Sequence, residues 1–187
     1  MTKIIPPKDY PRLRAIVEEY LPGAQITALD EMCANSPTAV VGYYHEDELI
    51  GVCYGFPTND GDFSLDGIAI VWDYMKAGKG GELLAFFDAQ VATLGYTSIS
   101  LGSADGYVER FYLKNGYTPT ELKLYVSPDY DNALNETAPY PVAYTQPEGD
   151  RLKLVFAVHN YHEMDKTVLC EHFNGSDAFF VFVKQLT

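Results

Sequence analysis

The residues best able to do chemistry together lie in one run, Asp66-Gly67-Ile68-Ala69-Ile70-Val71-Trp72-Asp73-Tyr74-Met75-Lys76-Ala77-Gly78-Lys79-Gly80-Gly81-Glu82-Leu83-Leu84. An apolar strand leads through a short loop into a glycine-rich turn, and an amphipathic helix begins at once. Such a turn aims several backbone N–H groups at one place, the positive end of a helix dipole, and makes an anion site suited to a pyrophosphate. Glycines let a ligand approach the backbone closely, and Lys76 and Lys79 add positive charge. A turn that only starts a helix has the same composition. Two familiar phosphate motifs are excluded. Gly78-Lys79 is not followed by Ser or Thr and has no glycine five residues before it, so it is not a Walker loop. Leu83 stands where the dinucleotide fingerprint needs its third glycine.

A second run, Phe111-Tyr112-Leu113-Lys114-Asn115-Gly116-Tyr117, follows at a distance of one strand and one helix. The first run resembles the acyl-CoA-binding motif of the GCN5-related N-acetyltransferases, Gln/Arg-x-x-Gly-x-Gly/Ala. The second resembles that family's Leu-Tyr-x-Lys-x-Gly-Phe. The two occur in the family's order, and the likeness spans roughly Thr2 to Val126. It implies that acetyl-CoA is the cofactor. The backbone of Ile68, Ala69 and Ile70 would pair with the pantetheine arm, and backbone N–H groups of Lys76, Ala77, Gly78, Lys79, Gly80 and Gly81 would hold the pyrophosphate. Asp105 would lie beside the cofactor, and Tyr112 would be both a cofactor neighbour and the general acid for the departing thiolate.

An ammonium acceptor must lose a proton. On an extended strand Asp66 shares a face with Ser64, Ile68 and Ile70, and the resemblance implies a carboxylate base on this strand, so Asp66 is the candidate. Glu109 and Glu18 are its rivals, and water alone serves in some family members. The chain departs from the pattern at Met75, Trp72, Asp105 and Val108. Those departures motivate a second reading: a CoA-binding regulatory or interaction module without turnover. A third is an interaction fold with no CoA site. No metal is expected, because His159, His162, His172 and Cys170 match no standard ligand spacing.

The elements that must position these residues follow from periodicity and punctuation. Asp9 is placed to cap a helix carrying Leu13, Ile16, Val17 and Tyr20, which Pro22-Gly23 ends. A short helix follows around Ile26, Leu29 and Cys33. Strands are expected at Ala39–Tyr44, Leu49–Phe56 and Phe63–Val71. The helix opened by Gly78–Gly81 closes at Gly95, and Thr97–Leu101, a Tyr107–Asn115 helix and a Tyr117–Val126 strand follow. From Ser127 to Asp150 prolines sit among Asn, Thr and Tyr without periodicity, which reads as a connection. Arg151–Val158, Tyr161–Phe173 and Ala178–Gln185 then read as strand, helix and strand. The expected fold is α/β (α+β): a mixed, mostly antiparallel central sheet flanked by helices, with a C-terminal strand–helix–strand addition. Its divisions are a domain over 1–126, a Pro/Tyr-rich connection over 127–150, and a terminal unit over 151–187. The last is too small to hold a core alone and must pack on the domain or on a partner subunit.

Composition bounds the rest. The chain has 187 residues, 47% hydrophobic and 21% charged, enough for a real core. Its net charge of −13, from 13 Lys plus Arg and 26 Asp plus Glu, argues against nucleic acid as a partner. No apolar run approaches a membrane span, and the start, Met1–Pro7, has no secretory cleavage pattern. Three widely spaced cysteines, Cys33, Cys53 and Cys170, suit a reducing compartment, so the expected location is cytoplasmic. From Ala15 to Met75 there is no Lys or Arg, only carboxylates. That stretch includes elements which, by the resemblance, line the acceptor side. A small-molecule amine, polycationic such as a polyamine or an aminoglycoside, is therefore the expected acceptor, with peptide or protein amines as the alternative, and the resemblance also implies a homodimer.

Overall fold

Leu13, Ile16 and Val17 recur at helical spacing, and all three are fully buried where the first helix lies on the sheet. The same logic of period and burial builds each element of the computed structural model, which describes residues 1–35, 37–58, 61–75, 78–103, 105–128 and 141–186. In chain order these are β1 (Thr2–Ile4), α1 (Tyr10–Tyr20), α2 (Ile26–Asn35), β2 (Val40–His45), β3 (Glu48–Pro57), β4 (Phe63–Ile70), α3 (Lys79–Thr93) and β5 (Ser98–Ser103). There follow α4 (Gly106–Lys114), β6 (Thr118–Val126), β7 (Val142–Glu148), β8 (Arg151–Ala157), α5 (Met164–Phe173) and β9 (Ser176–Gln185). The chain forms two compact units, one of Met1–Ser100 with Gln185–Thr187, the other of Leu101–Lys184.

In the first unit the strand order is β1-β2-β3-β4-β5. β1 through β4 pair antiparallel, and β5 pairs parallel with β4 at Phe63↔Ile99 and Ser64↔Ser100. Ile5, Leu13, Ile16, Val17, Leu29, Val40, Leu49, Val52 and Tyr54 form a core under α1 and α2. α3 contributes Leu83, Leu84, Phe87 and Val91, all fully buried. Phe87 meets Phe63 edge-on at 5.9 Å. Gly55 is required beneath them, because a Cβ there would lie 2.1 Å from the Ser64 carbonyl oxygen and 3.0 Å from the Phe87 ring.

In the second unit the order is β9-β6-β8-β7, antiparallel throughout. β6 therefore lies between the two strands of the terminal strand–helix–strand segment, so that segment is built around β6 rather than attached at its end. The aromatic run of β9 alternates as a half-buried strand does, with Phe180 and Phe182 fully buried. α5 adds Leu169 and Phe173 to the same core.

Two expectations need correction. Asp9 is the residue before α1, but its side chain caps nothing; its carboxylate accepts a 2.7 Å hydrogen bond from the Tyr44 hydroxyl, a tertiary partner that outcompetes the local one. Part of the expected Pro-rich connection is strand, since Val142–Glu148 is β7. It borders the sheet of its unit and is largely exposed, so no apolar alternation marks it in the sequence. β1, three residues long and likewise at a sheet edge, also has no periodic signal.

Candidate active site

β4 and the turn that follows it carry most of the candidates, within the first unit. In the β3–β4 ladder Tyr54 pairs with Gly67 and Gly55 with Leu65, so Asp66 is an extra residue without a partner: a β-bulge. Gly67 permits it. A Cβ at that position would lie 2.7 Å from the Tyr54 ring and hydroxyl. Asp66 is exposed and lines a hollow of about 480 Å³ together with Leu21–Gln25, Ala28 and Phe56. The walls remove part of the water around the carboxyl without closing it off, and that desolvation raises its pKa above the ordinary aspartate value. Tyr54 is fully buried; burial first, and the Asp66 charge second, push its phenol well up, so it stays neutral.

Beyond the bulge, Ile68, Ala69 and Ile70 pair with Cys53, Val52 and Gly51 along one edge. Among the described residues the β4–β5 ladder ends at Ser64↔Ser100, and within the first unit no strand covers the other edge of Ile68–Ile70. Backbone donors and acceptors on an open edge are a template for an extended ligand. Asp66, Ser64 and Ile68 share the less buried face of β4, as expected; Ile70 is buried instead, with its Cδ1 against Gly51, which has no side chain to displace it.

Further along the chain Gly78 adopts φ 75°, the left-handed region, immediately before α3. The first helical hydrogen bond runs from the Glu82 N–H to the Gly78 carbonyl, at 3.2 Å. The amides of Lys79, Gly80 and Gly81 precede it, and among the described residues no side chain caps them. Space around Gly78 is open, since a Cβ built there meets nothing within 4 Å. This helix start has uncapped donors, open space and the dipole of a 15-residue helix, which together can hold an anion. The Lys79 ammonium lies over the Tyr43 ring at 5.5 Å. The Tyr43 hydroxyl donates to Glu82 at 3.0 Å, and that bond raises the phenol's pKa. Lys76 and Ala77 lie outside the described residues.

The second unit carries the other candidates. Asp105 is the N-cap of α4: its Oδ1 accepts from the Tyr107 N–H at 2.7 Å and the Val108 N–H at 3.3 Å. Tyr112, on the same helix, is buried among Phe111, Tyr117 and Phe182, with ring centroids 5.4, 5.7 and 6.3 Å away. Glu109 is fully buried and committed. It accepts from the Tyr161 hydroxyl and from the Lys166 ammonium, each at 2.7 Å. That removes it as a rival base. Glu18 is an exposed residue of α1 that lines no part of the hollow. Cys33, Cys53 and Cys170 are free thiols whose pKa values burial raises. Among the described residues no group of His, Cys, Asp and Glu is arranged to hold a metal, and no helix is long and apolar enough to cross a membrane.

Phe56, the Leu21–Gln25 turn and Ala28 have no mark in the sequence. Pro22-Gly23 signals only the end of a helix. Gly67 is the one clue, as an isolated glycine in a strand suggests a bulge.

No family model and no curated protein matches the chain. Solved structures do. Ard1 from Thermoplasma volcanium superposes with a TM-score of 0.57 at 15% identity, over 87% of this chain and 98% of that one. Naa50 of Arabidopsis thaliana, in complex with the bisubstrate analogue CoA-Ac-MVNAL, gives 0.55 at 14% identity, over 83% and 95%. A GNAT-family acetyltransferase from Desulfovibrio desulfuricans gives 0.55 at 17% identity, over 85% and 96%. With its mixed, mostly antiparallel strands, its bulged β4 and its glycine-led α3, the chain has the fold of the GCN5-related N-acetyltransferases.

Proposed function

We propose that the protein is an N-acetyltransferase that moves an acetyl group from acetyl-CoA to an amine by direct attack. The observation that carries this reading is the open β4 edge at Ile68–Ile70 running toward the uncapped, glycine-led start of α3. Extended amide-bearing chains add to such an edge, and a pyrophosphate suits such a helix start. Bound acetyl-CoA supplies an activated thioester, from which the acceptor nitrogen takes the acetyl group as the thiol leaves. Ile68, Ala69 and Ile70 hold the arm through their backbone, and the amides from Lys76 to Gly81 hold the phosphates. Asp66, at the bulge, takes the proton that an ammonium acceptor must lose, directly or through water. Its raised pKa suits it to that task better than an ordinary aspartate. Tyr112 serves as the acid for the leaving thiolate. The acceptor is a small-molecule amine, and the Lys- and Arg-free stretch from Ala15 to Met75 favours a cationic one. The protein works in the cytoplasm as a homodimer.

Thermal unfolding with acetyl-CoA, CoA and ATP tests the site. At about 100 times its dissociation constant a ligand adds roughly 2.7 kcal/mol of stability. A shift with both CoA forms and not ATP supports the reading; no shift with any of them refutes it. Turnover is tested by Tyr112→Phe. An enzyme using that hydroxyl loses kcat by about 100-fold while its acetyl-CoA shift is unchanged, whereas a regulatory module binds CoA and has no rate to lose.

A further inference from the structure

The hollow beside the bulge is chemically lopsided. Its lining is Leu21, Pro22, Gly23, Ala24, Gln25, Ala28, Phe56 and Asp66. Among the described residues Asp66 is the single ionisable group of that lining. Everything else is apolar or neutral. Among the described residues, the other carboxylates of the acidic stretch do not line it. Asp30 pairs with Arg14, Glu48 with Arg12, and Asp62 accepts from Ser98. Glu18, Glu19 and Glu31 point to solvent and line no part of it. Among the described residues, nothing hydrogen-bonds to or pairs with the Asp66 carboxylate.

A cavity of about 480 Å³ lies within the usual size range of small-molecule sites. A polycation placed in it would meet a carboxylate with one charge only, and its other charges would face Leu21, Ala24, Ala28 and Phe56, where no described acidic group answers them. A molecule with one ammonium at its end and an uncharged apolar body leaves no second charge without a partner there. Its ammonium meets Asp66, and its body covers Phe56 and the alanines. Resting on the acetyltransferase reading, we propose that the acceptor class is a primary amine with a single positive charge carried on a neutral, mainly apolar body. The acidic stretch then acts as a long-range attraction for cations, and the hollow as the filter that rejects multiple charge.

The test measures binding to the full chain without acetyl-CoA, by amide chemical shifts and calorimetry. The probes are 2-phenylethylamine, spermidine and the uncharged 2-phenylethanol. The expected result is that 2-phenylethylamine binds at least 10-fold tighter than either of the others and perturbs Leu21–Ala28, Phe56 and Asp66. Gln25 lines the hollow with an exposed side chain, so a change there is expected to leave the fold intact. Gln25→Lys is expected to weaken 2-phenylethylamine at least 5-fold, and Gln25→Glu to narrow the gap to spermidine. In acetylation assays the same order should hold in kcat/KM. Spermidine binding as tightly as 2-phenylethylamine, perturbation confined to other residues, or no binding of any probe would overturn the proposal. If spermidine is acetylated faster, the acceptor class falls while the acetyltransferase reading stands. If acetyl-CoA gives no thermal shift, the acetyltransferase reading falls, and the binding order alone decides the chemistry of the hollow.

Discussion

Asp66 combines two properties that ordinarily exclude each other, access to solvent and a carboxyl whose charge is disfavoured. Its folded pKa lies above its unfolded value, so the native state keeps this proton over a range where the unfolded chain has released it. The contribution to stability is therefore largest at low pH and is lost as pH rises through the two values. Asp66→Asn removes the effect. The gap in Tm between variant and wild type should widen in the variant's favour as pH increases above the ordinary aspartate range. Activity should move the other way. With Asp66 as the proposed base, the acid limb of kcat/KM should report this carboxyl, lie above where an unperturbed aspartate would put it, and disappear in Asp66→Asn along with about 100-fold or more of the rate. Gly78 is a residue-scale device of another kind. Any side chain there must accept φ 75°, so Gly78→Ala should cost about 1–2 kcal/mol in denaturant unfolding. The same change should weaken the acetyl-CoA shift, because the amides of Lys79–Gly81 would turn away.

At the scale of elements, one bulge in the β3–β4 ladder sets Asp66 apart from the paired residues of β4. Gly67 is its keystone, since a methyl there would run into the Tyr54 ring. Gly67→Ala should destabilise by about 1–3 kcal/mol by overpacking and should raise the KM for the amine more than it lowers acetyl-CoA binding. In the second unit, Glu109 ties α4 to the segment around Tyr161 and α5 through two 2.7 Å hydrogen bonds, one from a Lys166 side chain that is only 13% exposed. Glu109→Gln leaves that ammonium buried without its counter-charge. A loss of roughly 3 kcal/mol or more is expected in urea unfolding. Glu109 was a rival base on sequence grounds because position alone cannot distinguish a solvated carboxylate from a buried, paired one. The edge strands β1 and β7 escaped for a related reason: a strand with little buried face carries little alternation to read.

At the scale of the whole molecule, the charge distribution draws cations toward the first unit but does not by itself name them. Its carboxylates are spread over Arg, Tyr and Ser partners as well as solvent. Attraction and selection are thus separable. Acetylation of a singly charged amine should slow with added salt, through the long-range term, while the preference over spermidine persists. Light scattering on the purified chain tests the homodimer directly, with twice the chain mass expected. What the sequence determined by itself was local: helix and strand periods, the glycine-rich turn before α3, the two motif runs, and the α/β class they imply. Each depends on residues within a few positions of one another, where dihedral preference and burial period suffice. The tertiary structure alone decided that Asp66 stands in a bulge, that a turn forty residues away walls in its carboxyl, and that Glu109 is bound to Lys166. Those depend on cross-strand register and on contacts between distant segments, and a one-residue shift in register changes them without altering any local pattern.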